Sequence, residues 1–351
     1  MRAARLADVD GLLVTHLPDI RYLCGFTGSS GALVVAGGRA VLFTDGRYTE
    51  QAQEEASGTR VVIAKGSALA AACAWMDGAG VERCGFDPAH TTVTALLAMR
   101  KAVSAGRRRS LFQPLEGLVS GLREVKDDKE IGVMREAARM GCALFEGVLA
   151  ELTPAMTEVA VAVELERRAR LAGAERMSFE TIVAGAERSA LPHARVSRAR
   201  LPRRGFVTLD FGVVLGGYCS DMTRTVHFGR PSAEARAVYD SVLEAQMSAV
   251  ARVAPGVRAE EIDEAARGVL RRAKLDGYFT HSTGHGVGLE IHEQPRIGAK
   301  QRQELRPGMI ITIEPGAYLA GRFGVRIEDM VLVTAKGCEV LTPSTKAWLE
   351  L

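Results

Sequence analysis

Five side chains in the C-terminal half of the sequence have the chemistry of metal ligands. They are four carboxylates and one imidazole: Asp210, Asp221, His285, Glu314 and Glu328. They lie in apolar or glycine-rich segments, which read TLDFG, SDMTRT, GHGVG, TIEPG and RIEDM in that order. Because burying unpaired charge is very costly, four carboxylates can meet in a protein interior only if cations neutralise them. If these residues converge around two divalent ions, the protein is a two-metal hydrolase.

The ligand types favour some metals over others. Four carboxylates with one imidazole form an oxygen-rich set, which suits Mn(II), or Co(II) in vitro, better than a structural zinc ion. We therefore expect two divalent metal ions, with Mn(II) first and Co(II) or Zn(II) as alternatives. The sequence contains no HExxH motif, which argues against a single-zinc protease.

A hairpin is predicted to position the two aspartates. Gly216-Gly217 favours a two-residue turn between two apolar runs. Pairing across this turn places Asp210 opposite Thr223. Asp221 has the same parity as Thr223, so both aspartates point to one face as diagonal neighbours, about 7–8 Å apart at Cα. The alternative, exposed turn polarity, is less favoured because aspartate is poor in strand interiors.

Histidines surround the third ligand. His285 lies in TGHGVG, where three glycines allow the backbone to approach a ligand or another strand closely. His281 precedes it, His292 follows it, and His193 lies further upstream. Imidazoles can donate to an oxyanion or shuttle a proton near pH 7. Taken singly, each of these three could equally be a structural residue.

Of the remaining two ligands, Glu314 is predicted at the end of a strand and Glu328 inside one. Glu314 ends an apolar strand and is followed by Pro315-Gly316. Glu328 is predicted inside a strand over residues 324–333, with Arg326 on the same face two residues earlier. This arginine could support a ligating carboxylate. A plain surface Arg–Glu pair is the alternative.

The composition is that of an ordinary globular protein. The chain has 351 residues, 47% hydrophobic and 25% charged, and a formal net charge of +3. This charge is too small to indicate nucleic acid or anionic membrane as a partner. The six cysteines contain no CxxC pair, which indicates reduced thiols. With no signal-like or 18-residue apolar run, we expect a soluble cytoplasmic protein.

The pattern of apolar residues predicts two domains, residues 1–122 and 123–351. The first is predicted as a small α/β domain, with strands near 11–15, 31–36, 39–44 and 60–64 and helices over 67–79 and 91–103. In the second, helices are predicted over 125–150, 158–171, 232–254 and 258–275, and strands dominate from residue 206. Thr157 is expected to cap the second of these helices, with Glu158 and Glu164 on its solvent side.

These motifs together resemble those of the creatinase/aminopeptidase P/prolidase family. The supporting segments are TLDFGVVLGGYCSDMTRT (208–225), HSTGHGVGLEIHE (281–293), GMIITIEPGAY (308–318) and GVRIEDMVLVT (324–334). IRYLCGFTGSSGALVV (20–35) and FTDGRYTEQA (43–52) resemble the first domain of short bacterial members. The resemblance implies an α+β protein with a pita-bread catalytic domain, preceded by a smaller α/β domain of creatinase type.

The resemblance also implies a role for each metal ligand. Asp221 and Glu328 would bridge both ions, Asp210 would complete the shell of one, and His285 with Glu314 that of the other. Glu314 would also accept and pass on a proton from the attacking water.

Four further residues receive catalytic roles from the same resemblance. His193 and His292 would stabilise the tetrahedral intermediate and hold the substrate, and His281 would line the substrate side. Arg326 would orient Glu328 or meet the carboxyl end of the substrate.

The family resemblance implies hydrolysis of Xaa-Pro bonds at the N-terminus of short proline-containing peptides. An Xaa-Pro aminopeptidase is favoured over the alternative, an Xaa-Pro dipeptidase (prolidase). A methionine-aminopeptidase-like enzyme is disfavoured by the ~120-residue first domain, since those enzymes usually lack one. A metal-free binding module or creatinase-like hydrolase is disfavoured because all five ligands are intact. The resemblance also implies a homodimer.

One segment departs from the family pattern. Residues 194–200, ARVSRAR, are more basic than expected where the family has its substrate entrance. This departure leaves open the preferred length and acidity of the substrate.

Overall fold

The computed structural model describes residues 8–351. The chain divides into two compact units, the first ending at Arg123 and the second comprising Glu124–Leu351. Each unit has its own apolar core.

The first unit contains a six-stranded mixed sheet with the order β4-β3-β2-β1-β5-β6. Its strands are β1 (Gly11–Val14), β2 (Ala32–Ala36), β3 (Arg39–Asp45), β4 (Arg60–Ala64), β5 (Cys84–Phe86) and β6 (Phe112–Pro114). β1, β2 and β3 pair antiparallel, and the Gly37-Gly38 turn joins β2 to β3. The other three strands run parallel to their neighbours.

Helices cover the sheet of the first unit. They are α1 (Leu17–Cys24), α2 (Thr49–Glu55), α3 (Ala68–Gly78), α4 (Val93–Lys101) and α5 (Ser120–Arg123). Successive side chains of β1 point to opposite faces, so Leu13 joins the cluster that contains Met76 of α3 and Met99 of α4. Leu12 joins a second cluster around Ile20 of α1.

The second unit has four helices and thirteen strands among the described residues. The helices are α6 (Asp128–Leu149), α7 (Glu158–Leu171), α8 (Ala233–Arg252) and α9 (Ala259–Arg272). The strands are β7 (Arg176–Met177), β8 (Ile182–Gly185), β9 (Gly205–Phe211), β10 (Val213–Leu215), β11 (Tyr218–Cys219), β12 (Met222–Phe228), β13 (Gly284–Gly286), β14 (Glu293–Ile297), β15 (Ile310–Ile313), β16 (Gly316–Leu319), β17 (Phe323–Arg326), β18 (Asp329–Val333) and β19 (Cys338–Val340).

These strands form small sheets that helices cover. One sheet has five strands in the order β14-β13-β15-β18-β19, two have three strands in the orders β12-β9-β8 and β11-β10-β7, and β16 pairs with β17. The apolar faces of α6 and α7 pack against β8, β9 and β12. Those of α8 and α9 pack against β15, β17 and β18. The polar faces of these strands are therefore left for the site described below.

The helix predicted over residues 125–150 begins later than expected. α6 begins at Asp128, because the Asp127 side chain accepts from the backbone N–H groups of Lys129 and Glu130 and forms a capping box. Lys126 lies before the helix, is buried, and pairs with Glu293 at 3.1 Å. A charged residue before a helix is thus part of the interior here.

The solvent-side prediction for Glu158 is wrong. Thr157 caps α7 as predicted, but Glu158 is fully buried. Its carboxylate accepts hydrogen bonds from Gly185 N, Arg188 Nε and Ser197 N, each at 3.0 Å. Partners far along the chain satisfy this charge, which explains why local periodicity did not reveal its burial.

Within residues 8–351 no helix combines the length and apolarity needed to cross a bilayer. The six cysteines are free thiols.

Candidate metal centre

The two aspartates come from the predicted hairpin. Gly216 and Gly217 both have positive φ, 54° and 83°, which a two-residue hairpin turn of this type requires. β9 pairs antiparallel with β12, and Asp210 lies opposite Thr223. The predicted register is confirmed. Asp221 lies one residue before β12 begins.

Alternation along β9 aims Asp210 at the site. Val207, Leu209 and Phe211 pack under α6 and α7. The residues between them, Thr208 and Asp210, therefore face the opposite side of the strand.

Close backbone packing holds His285. A Cβ on Gly284 would lie 1.9 Å from the Thr312 carbonyl oxygen, and one on Gly286 would lie 2.1 Å from the Gln294 carbonyl oxygen. Glycine is the residue that permits both approaches, as the sequence predicted. His285 Nδ1 lies 2.9 Å from the Gly286 carbonyl oxygen, to which it donates in the neutral imidazole. Nε2 is therefore the nitrogen available to a ligand.

The two glutamates lie at strand ends. Glu314 directly follows β15, and its N–H donates to the Thr283 carbonyl at 2.7 Å. Glu328 was predicted within one strand over 324–333, and this prediction is wrong. The strand breaks into β17 and β18, and Glu328 lies in the break. Its N–H donates instead to the Thr223 carbonyl at 3.1 Å, and its carboxylate accepts from Thr223 Oγ1 at 2.7 Å.

The ligand-type side chains converge. His285 Nε2 lies 3.7 Å from Asp221 Oδ2 and 3.6 Å from Glu314 Oε1. Asp221, His285 and Glu328 each offer one atom within 4.8 Å of the others, a spacing that can hold a metal ion. Asp210 is close enough for its charge to act on the other carboxylates.

The acidity of the carboxyl groups reflects this crowding. Burial raises the pKa of Asp221 well above its usual value, and the neighbouring charges of Glu328 and Asp210 add to the rise. Burial likewise raises the pKa of Glu328, and it raises the pKa of Glu314 to about 8. With its pKa raised to about 8, Glu314 would hold a proton at neutral pH unless a cation replaced it.

The residues fit divalent cations in two further respects. Among the described residues, Asp210 Oδ1 is a buried oxygen with no hydrogen-bond partner. Burial, with a smaller contribution from His292, lowers the pKa of His285 to about 4, which keeps its imidazole neutral and able to ligate. An oxygen-rich set with one imidazole suits hard divalent ions.

Arg326 supports the centre from within the core. This buried guanidinium donates to Asp210 Oδ2 at 2.5 Å, to Thr223 Oγ1 at 3.1 Å and to the Tyr318 hydroxyl at 2.8 Å. It also donates to the Pro192 carbonyl at 3.1 Å. Arg326 thus contacts Asp210 directly and reaches Glu328 only through Thr223, whose hydroxyl donates to that carboxylate.

His281 is held by the same network. Its Nε2 lies 2.8 Å from the Tyr318 hydroxyl and its Nδ1 lies 2.8 Å from the Ser282 carbonyl. Burial lowers the pKa of His281 to about 4. A neutral ring that donates through Nδ1 accepts from the tyrosine through Nε2.

The other two histidines lie around the ligands. The rings of His285 and His292 meet edge to face with centroids 4.4 Å apart. Burial lowers the pKa of His292, and the charge of His193 lowers it further. His193 is exposed and also acts on His281. The nine candidate residues named from the sequence therefore lie in one neighbourhood, with His193 on its exposed side.

Sequence reasoning missed a buried ion pair behind Glu328. Arg224 Nη2 lies 2.8 Å from Asp329 Oδ1, and both side chains are almost fully buried. Arg224 also donates to the Glu328 carbonyl and, at 3.0 Å, to the Thr223 carbonyl. The available signal was a further charged residue within each of two ligand-bearing segments, Arg224 in DMTRT and Asp329 in RIEDM.

The C-terminal segment completes this pair. Arg224 Nη2 donates to the carbonyls of Thr342 and Ser344 at 2.8 Å each. Asp329 Oδ2 accepts from Gln246 at 2.8 Å and from Lys346. Segment 342–346 is therefore tied to the backbone that carries Glu328.

Both units of the chain match known protein families. Residues 132–335 match the model of metallopeptidase family M24, and residues 2–125 match the creatinase/prolidase N-terminal domain. The chain is 38% identical over 338 residues to the peptidase YqhT of Bacillus subtilis, covering 96% of this chain and 95% of that protein.

Solved structures of peptidases have the same fold as this chain. An Xaa-Pro dipeptidase from Bacillus anthracis is 40% identical with a TM-score of 0.95, over 100% of this chain and 98% of that one. An X-Pro aminopeptidase from Thermotoga maritima is 32% identical with a TM-score of 0.91, over 100% of both chains. These matches confirm the predicted α+β fold class, with a creatinase-type N-terminal domain before the catalytic domain. The chain therefore belongs to metallopeptidase family M24, the creatinase/aminopeptidase P/prolidase group, and is a metal-dependent exopeptidase.

Proposed function

We propose that this protein removes the first residue from peptides whose second residue is proline. The observation that carries the proposal is the convergence of four carboxylates with His285. It includes a buried Asp210 oxygen that has no hydrogen-bond partner within residues 8–351. Solved relatives with Xaa-Pro peptidase names support the proline preference. Because the Xaa-Pro imide has no N–H and a ring-fixed φ, it needs a dedicated enzyme.

We assign the metal ligands as the sequence suggested. Asp221 and Glu328 would be shared by two ions, Asp210 would bind one of them, and His285 with Glu314 would bind the other. The proposed ions are Mn(II), with Co(II) or Zn(II) as alternatives. When bound, such ions polarise the scissile carbonyl and make water a stronger nucleophile at neutral pH.

The remaining steps use side chains of this chain. The Glu314 carboxylate accepts a proton from the attacking water and passes it to the leaving nitrogen. His292 and His193 donate to the tetrahedral oxyanion and the substrate. His281, held by Tyr318, lines the substrate side. Arg326 orients Asp210, since its guanidinium is committed to Asp210 and its neighbours.

An Xaa-Pro dipeptidase is the second candidate, since the Bacillus anthracis relative bears that name. A dipeptidase must bind the free carboxylate of its substrate. Arg326 is buried, and its guanidinium already donates to Asp210 and Tyr318. The better candidate for this contact is Arg296, which is exposed and lies opposite His285 in the antiparallel pairing of β13 and β14.

Peptide length separates these two candidates. The Mn(II)-loaded enzyme should cleave Ala-Pro-Ala with a higher kcat/KM than Ala-Pro. Dominant activity on Ala-Pro would replace the aminopeptidase with the dipeptidase. Rapid turnover of Met-Ala-Ser would instead indicate a methionine aminopeptidase, and a protein that binds no metal after reconstitution would indicate a binding module.

We further propose a cytoplasmic homodimer with its domain boundary at residues 122 and 123. The free cysteines support a reducing compartment. The division of the chain after Arg123 supports this boundary. Sedimentation of the purified protein tests the dimer, which a monomer at micromolar concentration would contradict.

A further inference from the structure

An arginine-rich loop runs from the candidate site to the start of α7. Residues 191–204, LPHARVSRARLPRR, contain five arginines and no acidic residue. At its beginning, the Pro192 carbonyl accepts from Arg326, which also binds Asp210. The next residue, His193, is exposed and acts electrostatically on His281 and His292. This end of the loop therefore lies at the open side of the metal centre.

The loop is held in one conformation by Glu158. Ser197 donates to the Glu158 carboxylate through its N–H at 3.0 Å and its hydroxyl at 2.6 Å. Arg188 binds the same carboxylate and donates to the Arg195 carbonyl at 2.5 Å. Backbone bonds from Glu158 N to Ala199 O and from Val159 N to Ser197 O complete the attachment. Such anchoring lowers the entropic cost of using the loop for binding.

Three exposed arginines of this loop have no carboxylate partner within residues 8–351. Arg195, Arg198 and Arg200 are exposed, and within residues 8–351 none of them pairs with a carboxylate. Glu158, the acidic residue bound to this loop, is fully buried and occupied by Arg188 and Ser197. The loop therefore presents positive charge to solvent next to His193.

The orientation of the bound peptide determines which of its residues lies near these arginines. In an enzyme that removes the first residue, the N-terminal residue occupies the enclosed end, and the rest of the peptide extends towards the open side. Arg195 is two residues from His193, so their Cα atoms are at most about 7 Å apart. With His193 assigned to the substrate as proposed above, the residue that follows the proline passes near Arg195.

We propose that this loop selects peptides with an acidic side chain directly after the proline, Xaa-Pro-Glu or Xaa-Pro-Asp. The inference rests on the proposed Xaa-Pro aminopeptidase function and adds the substrate class. Each arginine acts as a solvent-exposed partner, so the expected preference is about two- to five-fold per arginine. Screening by salt must weaken it, since the Debye length is about 10 Å at 0.1 M salt.

Amidated peptides isolate the side-chain effect. We would measure kcat/KM of the Mn(II)-loaded enzyme for Ala-Pro-Glu-Ala-amide and Ala-Pro-Gln-Ala-amide in low and high salt. The expected Glu:Gln ratio is above two at low salt and approaches one at high salt. The Glu:Gln ratio should fall in Arg195→Ala and fall further in Arg195→Glu. Arg195→Glu should also raise kcat/KM for a third peptide, Ala-Pro-Lys-Ala-amide, relative to the wild type.

Arg272→Ala is the matched control, because it removes one exposed arginine from α9, outside the loop. It should leave the Glu:Gln ratio unchanged. A wild-type ratio of one, or an equal fall in the control, overturns the acidic preference while leaving the Xaa-Pro function intact. Cleavage of Ala-Pro alone also overturns it and indicates a dipeptidase. No cleavage of any Xaa-Pro peptide overturns the proposed function and this inference with it.

Discussion

Replacing Arg224 should destabilise the catalytic domain and loosen the metal centre together. Arg224→Met keeps the length of the side chain but removes its charge and five-donor fork. The buried Asp329 would lose its guanidinium partner at 2.8 Å and keep Lys346 and Gln246. The guanidinium donor would also be lost to the carbonyls of Glu328, Thr223, Thr342 and Ser344. Removing one member of a buried pair costs about 3–5 kcal/mol, and the loss of the donor to four carbonyls adds to this cost although Lys346 still binds Asp329.

This cost converts into a measurable shift in melting temperature. For domains of roughly 150–250 residues, each kcal/mol lowers Tm by about 2–4 °C. Arg224→Met should therefore melt about 6–20 °C below the wild type in thermal unfolding followed by circular dichroism. Calorimetric titration at a permissive temperature should also show weaker Mn(II) binding, because Glu328 has lost its backbone support.

A surface pair provides the control for the Arg224 experiment. Arg271 and Glu264 pair at 2.9 Å with both side chains more than half exposed. Exposed pairs contribute about 0–1 kcal/mol, so Arg271→Met should change Tm by a few degrees at most and leave Mn(II) affinity intact. If Arg224→Met melts within about 2 °C of the wild type, the buried pair does not support the domain as argued.

Four other perturbations test the centre. Asp221→Ala should abolish occupancy of both metal positions, because its carboxylate is assigned to both ions; unchanged stoichiometry by elemental analysis would contradict the bridging role. His292→Ala should fold and keep its metal but lose most turnover, and a wild-type kcat would exclude a catalytic part. Gly284→Ala should displace β13 and weaken metal binding, since the added Cβ would lie 1.9 Å from the Thr312 carbonyl oxygen; unaltered Mn(II) affinity would count against this packing. The metal-free protein should lose stability as pH rises from about 4.5 towards 8. The pKa of Glu314 is raised to about 8 in the folded state, so over this range the folded state holds more protons than the unfolded state. Thermal melts at several pH values test this trend, which bound Mn(II) should remove.

The sequence predicts those parts of the site that depend on local geometry. The Gly216-Gly217 turn sets the register that brings Asp210 opposite Thr223, because a two-residue turn leaves one pairing. The glycines around His285 are interpretable because close backbone approach excludes a side chain.

What the sequence could not predict depends on distant partners. The break at Glu328 arises because its N–H bonds to β12 rather than continuing the strand. Glu158 is buried because Arg188 and Ser197 reach it from a later loop. Neither partnership leaves a periodic signal, and a charged residue beside an apolar run reads as solvent-facing until its partner is known.

The attachment of segment 342–346 beneath Glu328 bears on how the enzyme is made. During translation, the other ligands emerge first, while the carbonyls and the ammonium group that fix Arg224 and Asp329 are still inside the ribosome. The nascent chain would then hold its acidic cluster without the contacts that fix the backbone around Glu328. We therefore expect full metal affinity to require segment 342–346, because its contacts to Arg224 and Asp329 fix the backbone that carries Glu328.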